Sequence, residues 1–299
     1  MSTSPIVPCL WFDDRADEAA SFYTNLFPNG RIDRIARYPD IKTPAAKPPG
    51  SVLTVDFQIA DLRFTALNGG PQIVKNPSVS FFVHVDTIDE ANRLHAALVE
   101  DGMELMPLGA YPWSERYAWV QDRFGTSWQI CKGRDPGDSI IVPFLMFSGK
   151  VGGRAKEAMN LFTKIFEGGR IERMTEHPKE AAPEGWISES RFRIAGQQMA
   201  AFDSPIEHAF GFNEGISLQV MCKDQRELDH HWNALVEGGR PGPCGWLTDR
   251  FGISWQIVPE QLADWMTSDD EAARTRAFEA VMRMGKLEIA DIERAFRGG

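Results

Sequence analysis

IVPCLWF (Ile6 to Phe12) is a continuous apolar run, and in the strand-like runs RIDRIARY, SVLTVDFQI and LRFTAL apolar and polar positions interleave. Between the first two of these runs the spacing is helical: Ala19, Phe22, Tyr23 and Leu26 fall at i, i+3, i+4 and i+7, which marks one apolar helix face. The Pro-rich stretch from Pro39 to Gly50 and the polar Asp61 separate the later strands, so the pattern predicts a strand, a helix and three strands. A second unit of the same kind starts at SVSFFVHV. Its helix, Asp89 to Glu100, turns Ala91, Leu94, His95 and Leu98 to one side, and the strands LMPLGAY, RYAWVQD and TSWQICK follow.

The whole βαβββ pair then recurs. DRFGTSWQI at Asp122 to Ile130 returns as DRFGISWQI at Asp249 to Ile257, and IVPCLWF returns as IVPFLMF at Ile141 to Phe147. The helix face returns as Ala158, Leu161, Phe162 and Ile165, and the second helix face as Leu228, His231, Trp232 and Leu235. A period of about 130 residues is that of a domain and far exceeds solenoid periods. Two homologous domains are expected, at residues 1–135 and 138–260, followed by a tail at 261–299. In the tail, Asp269 and Asp270 can cap a helix reaching Met284 with Ala277, Phe278, Val281 and Met282 as its apolar residues. Gly285 stops it, and a further helix carries Ile289, Ile292 and Phe296 on one face. A tail this short cannot bury a core by itself, so it must brace a domain, bridge the two, or dock on a second chain in a homodimer.

Residues that stay apolar in both copies should face the helices, since a strand alternates its faces. This sends Leu10, Phe12, Leu67, Val120, Trp128 and Ile130, with their counterparts, toward the helix layer. The opposite faces then carry Trp11, Asn68, Ser80, His84, Trp119 and Gln129 in the first copy, and Asp203, Ser217, Gln219, Cys244, Trp246 and Gln256 in the second. On a curved sheet they line the inside of a cup, and apolar walls with a few convergent polar groups suit a small-molecule site. These twelve residues are the candidate ligand-binding positions. The second copy is the richer in polar groups. Asp122 and Asp249 with the glycines of DRFG are accounted for by turn chemistry.

The formal charge of −10 disfavours nucleic acid and anionic membranes as partners. The N-terminal stretch shows no export signal and no segment is apolar enough to span a bilayer, which points to a cytoplasmic protein. Cys9, Cys131, Cys222 and Cys244 are scattered without CxxC spacing and read as reduced, buried thiols.

The duplication, the helix RADEAASFYTNLF and the closing DRFGxSWQI resemble the vicinal oxygen chelate superfamily of glyoxalases, bleomycin-resistance proteins and extradiol dioxygenases. More closely, PxLWFDD, FTALNGGP, ISLQV, GPCGWLTDRFGISWQIVP and the tail MRMGKLEIADIERAF resemble the PhnB-like family, some of whose members are labelled 3-demethylubiquinone methyltransferase. The resemblance implies an α+β chain of tandem domains, each of two βαβββ modules forming a curved eight-stranded cup with helices outside, plus the helical tail. It also implies metal-ligand positions at Val7, Ala66 or Asn68, Ser80 and Gln129, and at Val142, Ala201 or Asp203, Ser217 and Gln256. Among these only Asp203 is a plausible ligand for a hard metal, so a metal-free, cofactor-free binding protein is expected. The competing reading is an enzyme with Asp203 or His84 as acid/base and Cys244 as nucleophile. Methyl transfer of the usual S-adenosylmethionine kind would need a Gly-rich loop between strand and helix, and the sequence offers none in that position.

Overall fold

A computed structural model of the chain describes residues 6–41 and 47–299, so part of the Pro39 to Gly50 stretch lies outside the described residues. The described residues form sixteen strands and seven α-helices. The first module comprises β1 (Ile6–Phe12), α1 (Ala16–Leu26), β2 (Arg31–Arg37), β3 (Val52–Ile59) and β4 (Leu62–Asn68). The second comprises β5 (Val79–Val85), α2 (Ile88–Val99), β6 (Met103–Tyr111), β7 (Ser114–Gln121) and β8 (Ser127–Lys132). The third repeats the first as β9 (Ile141–Phe147), α3 (Ala155–Ile165), β10 (Arg170–Glu176), β11 (Ile187–Ile194) and β12 (Gln197–Asp203). The fourth holds β13 (Ile216–Cys222), α4 (Gln225–Val236), the short β14 (Arg240–Pro241) and β15 (Trp246–Thr248), and β16 (Ser254–Pro259).

The modules assemble into two eight-stranded mixed sheets with helices against them, but each sheet draws on both repeats. One has the order β14-β15-β16-β13-β1-β4-β3-β2, and the other β10-β11-β12-β9-β5-β8-β7-β6. The first module therefore pairs with the fourth and the second with the third, rather than each repeat closing its own cup. The seam is antiparallel in both sheets: Cys9 lies opposite Ser217 between β1 and β13, and Phe144 opposite Ser80 between β9 and β5. Matched seams make the two sheets counterparts. We call the sheet containing β1 the first cup and the other the second cup.

Alternation holds where one face is plainly apolar. Leu10, Phe81, Trp128, Trp255 and Ile257 are fully buried in the helix-side core. On β4 and β12 the expected facing is reversed. Phe64 stacks on Phe57 at 5.3 Å and meets Phe81 at 4.9 Å, on the helix side, while Leu67 turns into the first cup and Phe202 into the second. Both strands carry apolar residues on each face, Phe64 and Ala66 on one side and Leu67 on the other in β4, so hydrophobicity does not mark the inner one.

The reversal moves two candidate ligands out of the cups. Neither α1 nor α3 has a local side-chain cap, the preceding residues being Arg15 and Arg154. Strand ends supply the caps instead. Asn68 Oδ1 accepts from the Ala16 amide at 2.9 Å. Asp203 accepts from the amides of Gly153, Ala155 and Ile187 at 2.8, 3.1 and 2.8 Å. A carboxylate at a helix N-terminus is favoured by the macrodipole and by the otherwise unpaired N–H groups. Asn68 and Asp203 are thus structural caps. We expect Asn68→Ala to lower stability by about 1 kcal/mol, read as a shift in the urea midpoint with unchanged slope; an unaltered midpoint would show that the α1 terminus needs no cap.

The tail forms α5 (Leu262–Met266), α6 (Glu271–Met282) and α7 (Ile289–Arg297). Asp270 caps α6 through the Ala273 amide at 3.0 Å. The three helices bridge the repeats over the first cup. Asp264 pairs with Arg34 of β2 at 2.8 Å, and Phe278 meets Tyr38 edge to face at 6.3 Å. On the other side, the amides of Cys244 and Gly245 donate to the carbonyls of Met284 and Gly285, each at 2.7 Å. Gly245 has φ of +83° and lies against the Ile257 carbonyl, where any Cβ would stand 2.8 Å from that oxygen, so the close approach of this loop needs glycine.

Candidate functional site

The first cup encloses a cavity of about 960 Å³ between its concave face and the tail helices. Its floor is a polar row running across four strands. Asp56 of β3 lies opposite Thr65 of β4, Thr65 opposite Cys9 of β1, and Cys9 opposite Ser217 of β13. Thr65 Oγ1 donates to Asp56 Oδ1 at 2.7 Å. Beside this row Gln219 Nε2 donates to Gln256 Oε1 at 3.1 Å, and Gln256 Nε2 donates to Ser217 Oγ at 2.8 Å. Trp11 and Trp246 form an edge-to-face pair at 5.9 Å on one wall, and Leu262, Met266, Phe278, Val281 and Met282 of the tail form the roof.

Side-chain size explains why this cup is hollow and the other is filled. In the second cup Phe82 stacks on Phe144 at 5.9 Å, Phe144 meets Phe202 at 5.1 Å, and Tyr117 packs on Phe82 at 6.3 Å. The matched positions of the first cup hold Gln219, Cys9, Leu67 and Cys244, all smaller. The buried Ser–Gln bond is common to both: Gln129 Nε2 donates to Ser80 Oγ at 2.8 Å, as Gln256 does to Ser217. In the second cup Tyr117 OH then closes the network on Gln129 at 2.7 Å. The hairpins differ as well. Strands β6 and β7 have nine and eight residues, whereas β14 and β15 have two and three. The tail covers the edge that the shortened hairpin leaves open.

Burial keeps the thiols of the cup protonated. Burial pushes the Cys9 thiol up to about 12, against smaller opposing hydrogen bonds from Gln256 and Ser217, and burial also raises Cys244. Neither is poised as a thiolate. Cys244 has a left-handed φ of +58° and its Sγ lies 3.6 Å from Met282 Sδ of the roof. Burial raises Asp56 above the usual carboxylate range, with the Thr65 hydroxyl pulling the other way. The buried Lys75 spans the end of β1, bonding to the Trp11 carbonyl with its ammonium 3.7 Å from the Phe12 ring. Desolvation lowers that lysine to about 8.

Of the expected site residues, the structure brings together Trp11, Gln219, Cys244, Trp246 and Gln256 as lining of the first cup, with the buried Ser217 held behind them by its hydrogen bond from Gln256. Ser80, His84, Trp119 and Gln129 lie on the other sheet, in the second cup, where the His84 ring bonds the Gly133 carbonyl through Nδ1 at 2.7 Å. Asn68 and Asp203 lie on the helix side of their strands. Asp203, His84 and Cys244 therefore do not share a site. Sequence reasoning missed Asp56 and Thr65 on the floor, Arg34 and Arg63 at its margin, and the tail residues of the roof. The signal for Asp56 was present: Val55, Phe57 and Ile59 of β3 alternate into the core, which sends Asp56 to the opposite face.

The positions of the first cup that match the superfamily's metal ligands hold Val7 and Gln256, Thr65 or Leu67 from β4, and Ser217, which Gln256 bonds, and this donor set does not fit a transition metal. Among the described residues no group of three His, Cys, Asp or Glu side chains stands together as a metal site. None of the described helices is long and apolar enough to cross a membrane.

Comparison with known proteins agrees with this architecture. A Bacillus cereus PhnB protein, titled a putative 3-demethylubiquinone-9 3-methyltransferase, is 32% identical over 42% of this chain and 98% of its own, with a TM-score of 0.39. Glyoxalase I from Zea mays is 12% identical over 83% of this chain and 89% of its own, with a TM-score of 0.52, and a point mutant of the same enzyme reaches 0.53 at 13% identity over 86% and 95%. The maize enzyme shows likeness of fold alone. No curated protein matches this sequence. The family described as 3-demethylubiquinone-9 3-methyltransferase matches residues 4–131 and 139–258, once per repeat, and to this PhnB-like family of the vicinal oxygen chelate fold the chain belongs.

Proposed function

We propose that the protein is a metal-free small-molecule binding protein whose ligand occupies the first cup beneath the tail helices. The observation that carries this reading is the contrast between the cups: four positions filled by Phe82, Phe144, Phe202 and Tyr117 on one sheet are opened by Gln219, Cys9, Leu67 and Cys244 on the other. A cavity of about 960 Å³ with an apolar wall and a few fixed polar groups has the size and character of a small-molecule site. Binding is favoured over chemistry because the cup's thiols are held protonated and the carboxylate of its floor, Asp56, has no histidine or lysine among the cup's lining residues to work with. The methyl transfer in the family's name would need a site for the methyl donor, which the cup does not identify. A net charge of −10 fits a cytoplasmic protein without nucleic-acid or membrane partners. The reading needs one chain only.

Nile red, an uncharged solvatochromic dye, tests it. The wild-type chain should bind about one dye per chain with a blue-shifted emission. The double variant Cys9→Phe/Gln219→Phe, which copies the Phe144 and Phe82 positions of the filled cup, should weaken binding at least about tenfold while keeping the fold. Undiminished dye binding by that variant would place the apolar site elsewhere and end the reading.

A further inference from the structure

One hydrogen bond of the second cup is missing from the first. In the second cup, Trp119 Nε1 donates to Ser127 Oγ at 2.8 Å across β7 and β8. Their counterparts in the first cup, Trp246 and Ser254, stand in the same register: Trp246 lies opposite Gln256 as Trp119 lies opposite Gln129, and Thr248 opposite Ser254 as Gln121 lies opposite Ser127. The backbone would therefore allow the same bond, yet it is not made. Ser254 Oγ is buried without a partner among the described residues, in a side chain only 1% exposed. No described residue accepts from the Trp246 indole N–H, and its ring stands edge-on to Trp11 instead. Both Trp246 and Ser254 line the cavity.

A buried hydroxyl without a partner is uncommon, because it forfeits its bonds to water on folding. Here the orphan lies on the strand next to that of a second unused donor, and both residues belong to the lining of the cavity. We propose that Trp246 and Ser254 form a hydrogen-bonding subsite for a carbonyl-type acceptor on a planar ligand of the first cup that carries no net negative charge, an inference that rests on the binding function proposed above. The acceptor follows from the chemistry of the pair. Indole N–H can only donate, and a serine hydroxyl can donate alongside it, so one oxygen with two lone pairs satisfies both. The absence of net negative charge on the ligand follows from the lining, where five carboxylates (Asp33, Asp56, Glu214, Glu260, Asp264) outnumber three guanidinium groups (Arg34, Arg63, Arg240). Planarity follows from the Trp11 and Trp246 rings that flank the subsite, since aromatic walls favour stacked or edge-on rings.

Fluorenone and fluorene, matched in shape and differing by one carbonyl, separate this inference from the reading beneath it. Equilibrium dialysis against the full-length chain gives the ratio of their dissociation constants. In Trp246→Phe/Ser254→Ala the preference for fluorenone should fall about tenfold relative to wild type, the size of one or two hydrogen bonds, with fluorene binding unchanged within about twofold. Trp119→Phe/Ser127→Ala, in the other cup, should leave the ratio unaltered. Should the Trp246 variant fail to fold, Ser254→Ala alone, which removes one buried atom, should lower the preference about threefold. A wild-type preference preserved in the first-cup variants overturns the subsite while fluorene still reports the cavity. Failure of both probes to bind the wild-type chain overturns the proposed function and the subsite with it.

Discussion

Replacing Asp122 by alanine should cost the protein about 3–5 kcal/mol of stability, a large fraction of what keeps an ordinary domain folded. The carboxylate is 4% exposed and serves four donors at once. Oδ1 accepts from the amides of Phe124 and Thr126, each at 2.9 Å, and Oδ2 accepts from Trp128 Nε1 at 2.8 Å and Tyr23 OH at 2.7 Å. The tight turn, whose Gly125 has φ of +81°, is thereby fastened to the core tryptophan and to α1. Alanine would leave those donors buried without acceptors, and each unmet donor costs about 1–3 kcal/mol before local relaxation. Asp249 repeats the arrangement with the amides of Phe251 and Ile253 and with Trp255 Nε1, at 2.8, 3.0 and 2.9 Å. It lacks the fourth bond because Phe162 stands where Tyr23 does. Asp249→Ala should therefore be the milder variant by about 1 kcal/mol. Urea denaturation of both variants decides it, and a loss below about 1 kcal/mol for Asp122→Ala would mean that the turn holds without its hub.

The repeated DRFG thus has a structural reason, and it was legible as such from turn chemistry alone. Much else on the strands was legible for the same kind of reason. Leu10, Trp128 and Ile130 kept their expected facing because their neighbours on the inner face are chemically different. β4 misled because Phe64, Ala66 and Leu67 are all apolar, and the residue that decides its facing, Asn68, is polar for the sake of a helix end. The pairing of modules across repeats was not legible either. Self-similarity shows which segments correspond, but whether β1 joins β13 or β5 depends on the course of the chain between modules, to which strand periodicity is blind. The same holds for the roof. Phe278, Val281 and Met282 could be recognised as an apolar face, while the cup it covers is fixed by the shortened β14–β15 hairpin and by the bonds of Cys244 and Gly245 to Met284 and Gly285. Polar residues of the floor such as Asp56 carry the reverse lesson, since an acid in mid-strand was visible and its significance came only from its neighbours Thr65 and Cys9.

His231 should weaken the protein in mild acid, and His231→Leu should remove that weakness. The ring is 7% exposed and stacks on Phe166 at 4.8 Å, and its Nδ1 has no partner among the described residues. Burial, reinforced by the neighbouring His230 and opposed by Glu227, lowers its pKa from 6.5 to about 4. Between these values the unfolded chain binds a proton that the folded chain refuses, so stability rises with pH across this window. The contribution is fully present above pH 6.5 and lost as pH falls toward 4, by up to about 3 kcal/mol. Asp249 acts with the opposite sign over nearly the same range. Burial raises it from 3.8 to about 6, so the folded chain retains a proton there that the unfolded chain has released. The two slopes partly cancel in the wild type, which is why the measurement must be a difference. Leucine is the natural replacement because Leu94 fills the matched position of α2 and is buried there. With Asp249 present in both proteins, the stability of His231→Leu relative to wild type should increase by about 2–3 kcal/mol from about pH 7.5 to about pH 4. Urea denaturation at half-unit steps of pH measures it. Parallel curves for the two proteins would show that the buried imidazole takes up its proton as readily in the folded chain as in the unfolded one.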